Sequence, residues 1–289
     1  MDVDLRFFLT VTLNGVTLGA LYFIVASGFA LVFGLTRVLN LAHGVIYLFG
    51  AYVGHEAIQA SESWLLAVLA GGLAAGAFGL FVHVAILSWM PGQDLRQTLA
   101  TIAVSVVAAD LMIARWGGLS YQIEVPDLLF GSLTLPLVGG YPIFRLALLG
   151  IAAGIGLGLW LLLNRTRLGM MIRAGVDDRD MLAVMGTNVP RLFMGAAALG
   201  ACLAGVAGVI GGSALAIGPG EDVRVLLSSL VVVIVGGLGS VAGAGLGAML
   251  VGLAEQYGLA YTPTYGVVYT FAIMVTVLAV RPQGILGRP

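Results

Sequence analysis

Residues 11–34 pass without an acidic or arginine side chain, and residues 64–88, 192–212 and 266–280 do the same. Runs near this length can cross the hydrocarbon core of a bilayer as an α-helix, which takes about 20 apolar residues. In lipid the backbone satisfies its polar groups only as a helix or a closed barrel. Two further runs, 97–115 and 143–163, are as apolar except for Asp110, Arg115 and Arg145.

The whole chain is 60% hydrophobic and 9% charged, with 43 glycines and a mean hydropathy of +1.06. Such a composition describes an all-α polytopic helical bundle whose solvent is lipid. All 13 basic residues are arginine, and a P-loop ATP site needs a lysine, so this chain holds no such site. A net charge of −1 offers no electrostatic surface for nucleic acid. Cys202 stands alone among small apolar residues, which excludes an internal disulfide and reads as a buried small side chain. The opening "MDVDLRFF" carries two acids against one arginine, unlike a cleaved signal peptide, so the first span is expected to be retained. Nothing resembles a hydrolytic triad, a metal cluster or a carboxylate pair; no enzyme activity and no cofactor is expected.

Two regions are ambiguous. Residues 41–54 are apolar but short, reading as a crossing or as a re-entrant hairpin, and 225–254 are too long for one upright crossing. Five arginines lie in 164–191, while the connections with Glu56 and Glu62, or with Glu221 and Asp222, are acidic. The positive-inside rule puts 164–191 in the cytoplasm. The tail "RPQGILGRP" also bears arginine, and both can be cytoplasmic only if 225–254 breaks. The break is expected at "GGLGS", with Gly236, Gly237, Gly239 and Ser240, where glycine permits a turn. The count is eight or nine segments, the N-terminus outside and Arg37 inside. "NLAHGVIYLFGAYVG" and "GGLGSVAGAGLGAMLVG" look alike, each opening at a break and continuing as a short small-residue helix. This suggests an internal repeat whose broken helices line a pathway, or glycines that only allow close packing. Asn40, His43 and Tyr47 at the first break are the preferred pathway-lining polar groups, with Gly236, Gly237, Gly239 and Ser240 at the second.

Charge concentrates in 164–191, which holds eight of the 27 charged residues. Asp177 or Asp178 can cap a helix whose first turn carries Arg179 and Asp180. Met181, Val184 and Met185 then share one apolar face, Gly186 ends the helix and Pro190 opposes a restart. The segment reads as a short amphipathic docking helix, or as a solvated loop whose acids balance its arginines. Within the spans, Asp110 and His83 are the clearest ionisable residues. Asp110 can reach the interface or pair with Arg145, and His83 reads as a structural histidine or a relay. Asn14, Thr98, Thr101 and Ser105 suit the pathway or interhelical hydrogen bonds equally.

The spacing Asp180, Ala183, Gly186 is similar to the EAA loop of ABC importer permeases, with Met181 and Leu182 where that pattern has two alanines. "GLTRVLNLAHGVIYLFGAY" (34–52), "TRLGMMIRAGVDDRDMLAVMGTNVPRLF" (166–193), "VVVIVGGLGSVAGAGLGAMLVG" (231–252) and "RPQGILG" (281–287) resemble the H-type permease subunits of branched-chain amino acid ABC importers. The resemblance implies a single transmembrane permease domain over 1–289 with a cytoplasmic coupling loop at 164–191. It also implies a homologous second permease subunit, two cytoplasmic ATPase subunits, and a periplasmic or extracellular substrate-binding protein. In that family the loop inserts into the ATPase, so 177–186 becomes the coupling helix of a permease in the inner membrane. The solute implied is a branched-chain or related amino acid, an amide or a small acid. A secondary transporter or channel working without ATPase partners is the competing reading, though two scattered titratable groups make a poor proton relay.

Overall fold

A computed structural model describes residues 2–136 and 138–287, without the side chains of residues 2–4, 177, 179, 180 and 267. Its helices are α1 (Asp2–Thr36), α2 (His43–Ser61), α3 (Trp64–Ala85), α4 (Asp94–Trp116), α5 (Ile143–Arg165), α6 (Arg167–Asp177), α7 (Arg179–Val184), α8 (Val189–Ala214), α9 (Glu221–Gly236), α10 (Val241–Tyr261) and α11 (Gly266–Val280). The six expected spans all form; α1, α4, α5 and α8 run a few residues beyond their apolar runs, α3 stops at Ala85 and α11 coincides with its run. α1 gains most, because nothing in 2–10 breaks a helix that is already nucleated.

Both ambiguous regions resolve. Residues 225–254 are two helices meeting at 116° across the expected break. Gly237 and Gly239 there take φ of 111° and 81°, a conformation that side chains with a Cβ rarely adopt. Residues 41–54 form no hairpin; after a turn at Leu41 and Ala42 they are the first part of the continuous α2. Five helices have the length and apolarity of a full crossing, or six with the bent pair counted as one span. Length and apolarity do not confirm the count of eight or nine segments, since among the described residues they pass over α2, which carries His43, His55 and Glu56, and α11, which has only 15 residues. The connection 117–142 also holds an antiparallel hairpin of β1 (Ser132–Leu135) and β2 (Gly139–Pro142), which its apolar pattern does not announce.

α1 is the central pillar, with 78% of its most apolar window buried, against 11% for α4 and 17% for α5. The outward leucines and valines of α4 (Leu99, Val106, Val107, Leu111) then serve as lipid-facing surface. Small residues set the packing. Gly50 of α2, Gly71 of α3 and Gly205 of α8 meet so closely that a Cβ on any of them would overlap its neighbour's backbone. A three-helix junction of this kind replaces the hydrophobic drive that is missing between helices in lipid.

The ends of the bundle sort cleanly. At one end the Arg37 guanidinium donates to the Val176 carbonyl at 3.2 Å, and Gly175 sits among Leu35, Leu182 and Leu192. Gly34 lies against Gly239, and the tail amides of Ile285 and Leu286 donate to the Val235 and Gly236 carbonyls, each at 2.9 Å. This is the end that holds 164–191. At the other end Arg6 donates to the Val138 carbonyl, Phe7 packs edge-on to Tyr261, and the Trp64 indole donates to Ser213. The tail, the break and the charged insert therefore share one face, as the arginine asymmetry requires.

Candidate functional site

The charged insert is two short helices. Thr166 caps α6 by accepting from the Gly169 amide at 3.1 Å, and Asp178 caps α7 by accepting from the Met181 amide at 2.9 Å. Of the two candidate caps, Asp178 takes the role while Asp177 ends α6. The side chains of Asp177, Arg179 and Asp180 lie outside the described residues, so the first-turn charge expected from Asp180 does too. Gly186 ends the turn at φ 83°. Met181, Val184 and Met185 are 60%, 83% and 75% exposed, and Ala183 is exposed beside them. Leu182 points the other way, packed against Leu35, Ile172 and Leu192. This anchor, missed in the sequence, fixes α7 to the bundle while its methionine face looks outward. Pro190 does not delay the next helix. It stands in the first turn of α8, where a missing amide costs nothing, and the Asn188 side chain caps that helix through the Arg191 amide at 3.1 Å.

The predicted pathway residues separate into two groups. After Thr36 the chain leaves α1 and climbs back into the bundle without helix, so that α2 starts beside Val25 and Phe29. His43 Nε2 lies 3.1 Å from the Val25 carbonyl, with the Phe29 ring edge-on to the imidazole. Asn40 accepts from the Ala42 amide at 3.1 Å, and the Leu41 amide donates to the Thr101 hydroxyl at 3.1 Å. Side chains thus satisfy backbone that would otherwise be orphaned at membrane depth. Asn40 and His43 line a cavity of about 250 Å³ together with His83, Asp94, Gln97 and Thr101. It lies between α1, the start of α2, α3, α4 and the first half of α8, at the end that holds the charged insert. Tyr47 lies apart, buried with its hydroxyl against Gly211. Gly236, Gly237 and Gly239 are also elsewhere, against the tail, α10 and Gly34, and Ser240 caps α10 through the Gly243 amide at 3.0 Å.

Asp110 is exposed on the outer face of α4. It does not pair with Arg145, whose guanidinium donates to Asn14 Oδ1 at 2.9 Å, beside the Tyr141 hydroxyl on the same oxygen. Asn14 accordingly ties α1 to the hairpin and α5. Cys202 is half-buried near Gly72 and Gly76.

One constellation escaped the sequence reading. Glu221, Arg224 and Ser228 share a face of α9 at i, i+3 and i+7, and Arg224 donates through Nε and Nη2 to Glu221 Oε2 at 3.0 and 2.7 Å. Across from them the Tyr22 hydroxyl donates to Glu255 Oε2 of α10 at 2.7 Å, with Ser228 beside it. Glu221 and Asp222 are thus not a solvated loop but the first turn of α9, and Asp222 is buried. An arginine at 224 and a lone acid at 255, at the two ends of the apolar run 225–254, were the available signal.

An apolar helical bundle with a broken helix pair and a short helix whose apolar face is exposed at one end has the form of a membrane transport subunit. Residues 11–278 match the branched-chain amino acid transport system permease component family, and the chain belongs to it. It is 30% identical to the high-affinity branched-chain amino acid transport system permease protein LivH of Salmonella typhimurium, over all of this chain and 98% of that one. It is 29% identical to BraD, the corresponding permease protein of Pseudomonas aeruginosa, over 99% and 98%. The solved structure of PsaBC from Streptococcus pneumoniae in complex with Fab shares the fold, at TM-score 0.50 and 14% identity over 93% of this chain and 91% of that one. The protein is therefore a multi-pass inner-membrane permease subunit and not an enzyme, and family membership supports this reading over that of a stand-alone channel or secondary transporter.

Proposed function

We propose that the chain forms half of the translocation pathway of a binding-protein-dependent ABC importer for branched-chain or closely related amino acids. It pairs with a homologous second permease subunit, two cytoplasmic ATPase subunits and an external binding protein, and 1–289 act as one permease domain. The α6–α7 insert is the coupling element, with Asp178 setting its start and Gly186 its end. The observation that carries this reading is the exposed face of Met181, Val184 and Met185 on a helix anchored by Leu182. A solvated loop has no use for three large apolar side chains held outward together, whereas a groove on a partner does. The substrate class rests on the relatives' names, and the absence of lysine from the chain agrees with ATP hydrolysis on separate subunits.

Purification of the tagged chain from cells expressing its whole transport operon tests the assembly: ATPase subunits should accompany it in stoichiometric amount. Reconstituted with its binding protein, the complex should take up labelled leucine only with ATP inside. Uptake by the purified chain alone would overturn the proposal.

A further inference from the structure

The face shared by Tyr22, Glu221, Arg224, Ser228 and Glu255 lies between the break and the far ends of α1 and α10, within the length of the apolar helices. Arg224 is twelve residues from the end of α9 at Gly236, and Glu255 is fourteen from the start of α10 at Val241. At a rise of 1.5 Å per residue these are about 18 and 21 Å along the helices from the break, short of the roughly 30 Å that a hydrocarbon core spans. The Arg224 side chain nonetheless keeps 48% of its surface open and Glu221 keeps 29%. Glu255 is only half-buried. Half-open charges at that depth face a water-filled path or a partner subunit, because exposure to acyl chains is too costly.

The groups are also only partly used. Glu255 spends Oε2 on Tyr22, and no partner to Oε1 is found among the described residues. Arg224 directs Nε and Nη2 at one oxygen of Glu221, leaving Nη1 uncommitted among the described residues. Arg224 and Glu255 lie within electrostatic reach of each other and of Tyr22. Two carboxylates against one guanidinium leave an excess negative charge, which a bound cation would balance. A solute carrying both an ammonium and a carboxylate fits such a set, since each end finds an opposite charge and the low dielectric strengthens both contacts.

We propose that Arg224 and Glu255 form a zwitterion-reading site on the translocation path, Arg224 taking the carboxylate and Glu255 the ammonium of an α-amino acid. Glu221 and Tyr22 hold the two charged groups in place. This rests on the amino-acid importer reading and adds to it the residues that recognise the substrate's backbone.

Equilibrium binding to the detergent-solubilised importer complex, prepared without binding protein, tests the site with three labelled probes. These are leucine, leucinamide (ammonium without carboxylate) and 4-methylvalerate (carboxylate without ammonium). Wild type should bind leucine best. Arg224→Gln should weaken leucine and 4-methylvalerate by about ten- to hundredfold and leave leucinamide unchanged, as expected for loss of a charge-assisted hydrogen bond. Glu255→Gln should weaken leucine and leucinamide and leave 4-methylvalerate unchanged, and Arg224→Lys should recover part of the loss. Equal weakening of all three probes by either variant, no change in any of them, or no leucine binding by wild type would overturn the site. Binding-protein-driven leucine uptake by the wild-type complex is measured in parallel: uptake without permease-level discrimination sinks this site alone, while absence of uptake sinks the amino-acid reading as well.

Discussion

The Leu286 amide donates to the Gly236 carbonyl at 2.9 Å, so the C-terminal tail closes the open end of α9 where the helix breaks. The break is thus a built joint between α1, α9, α10 and the tail. Gly34 packs on Gly239, and a side chain at Gly237 would overlap Gly287.

Replacing Gly237 and Gly239 together by leucine should leave membrane insertion intact but impair transport and lower thermal stability. Each site carries a left-handed conformation that costs a residue with a Cβ about 1–2 kcal/mol, with steric overlap added. Uptake and a melting curve on the purified protein check this; wild-type values in both would make the joint dispensable.

The three-helix junction gives a paired prediction. Gly205→Val drives a branched side chain into Gly71 and Ala75, and overpacking of this kind costs about 1–3 kcal/mol or more. Gly150→Val, on an exposed stretch of α5 with nothing within 4 Å of the added Cβ, should melt with wild type. Equal melting temperatures for the two variants would contradict the packing described.

Sidedness follows from the sorting of the bundle ends. In a Cys202→Ala background, Met185→Cys, at a 75% exposed position, should react with an impermeant maleimide only from the cytoplasmic side. Leu128→Cys, 90% exposed in the connection before the hairpin, should react only from the outside. Reversed labelling would invert the topology.

Much of this architecture was legible because lipid imposes a coarse rule: apolar runs become helices, and glycine clusters mark where they stop. The break at 236–240, the cap at Asp178 and the turn at Gly186 all follow from local chemistry within a few residues. What was not legible depended on which helices meet. Pro190 reads as a barrier to helix, yet it starts one, because the cap at Asn188 falls just before it. Asn40, His43 and Tyr47 sit within two turns of each other, but only Asn40 and His43 reach the cavity, because Tyr47 turns toward Gly211 on α8. Tyr22 and Glu255 are 233 positions apart, and only the antiparallel packing of α1 and α10 brings them into one hydrogen bond.

ATP hydrolysis by the reconstituted complex, with and without substrate-loaded binding protein, tests the coupling role of α7 most directly. Val184→Arg with Met185→Arg places two charges on the outward face while Leu182 keeps the helix anchored. The complex should insert and pair with its sister subunit but lose stimulation by the binding protein at least about tenfold, the order expected when charges are buried unpaired at an interface. Gly186→Val, which strains the positive-φ exit of the helix, should show a smaller loss in the same direction. Stimulated hydrolysis at wild-type levels in the double variant would make α7 a solvated loop and contradict the account.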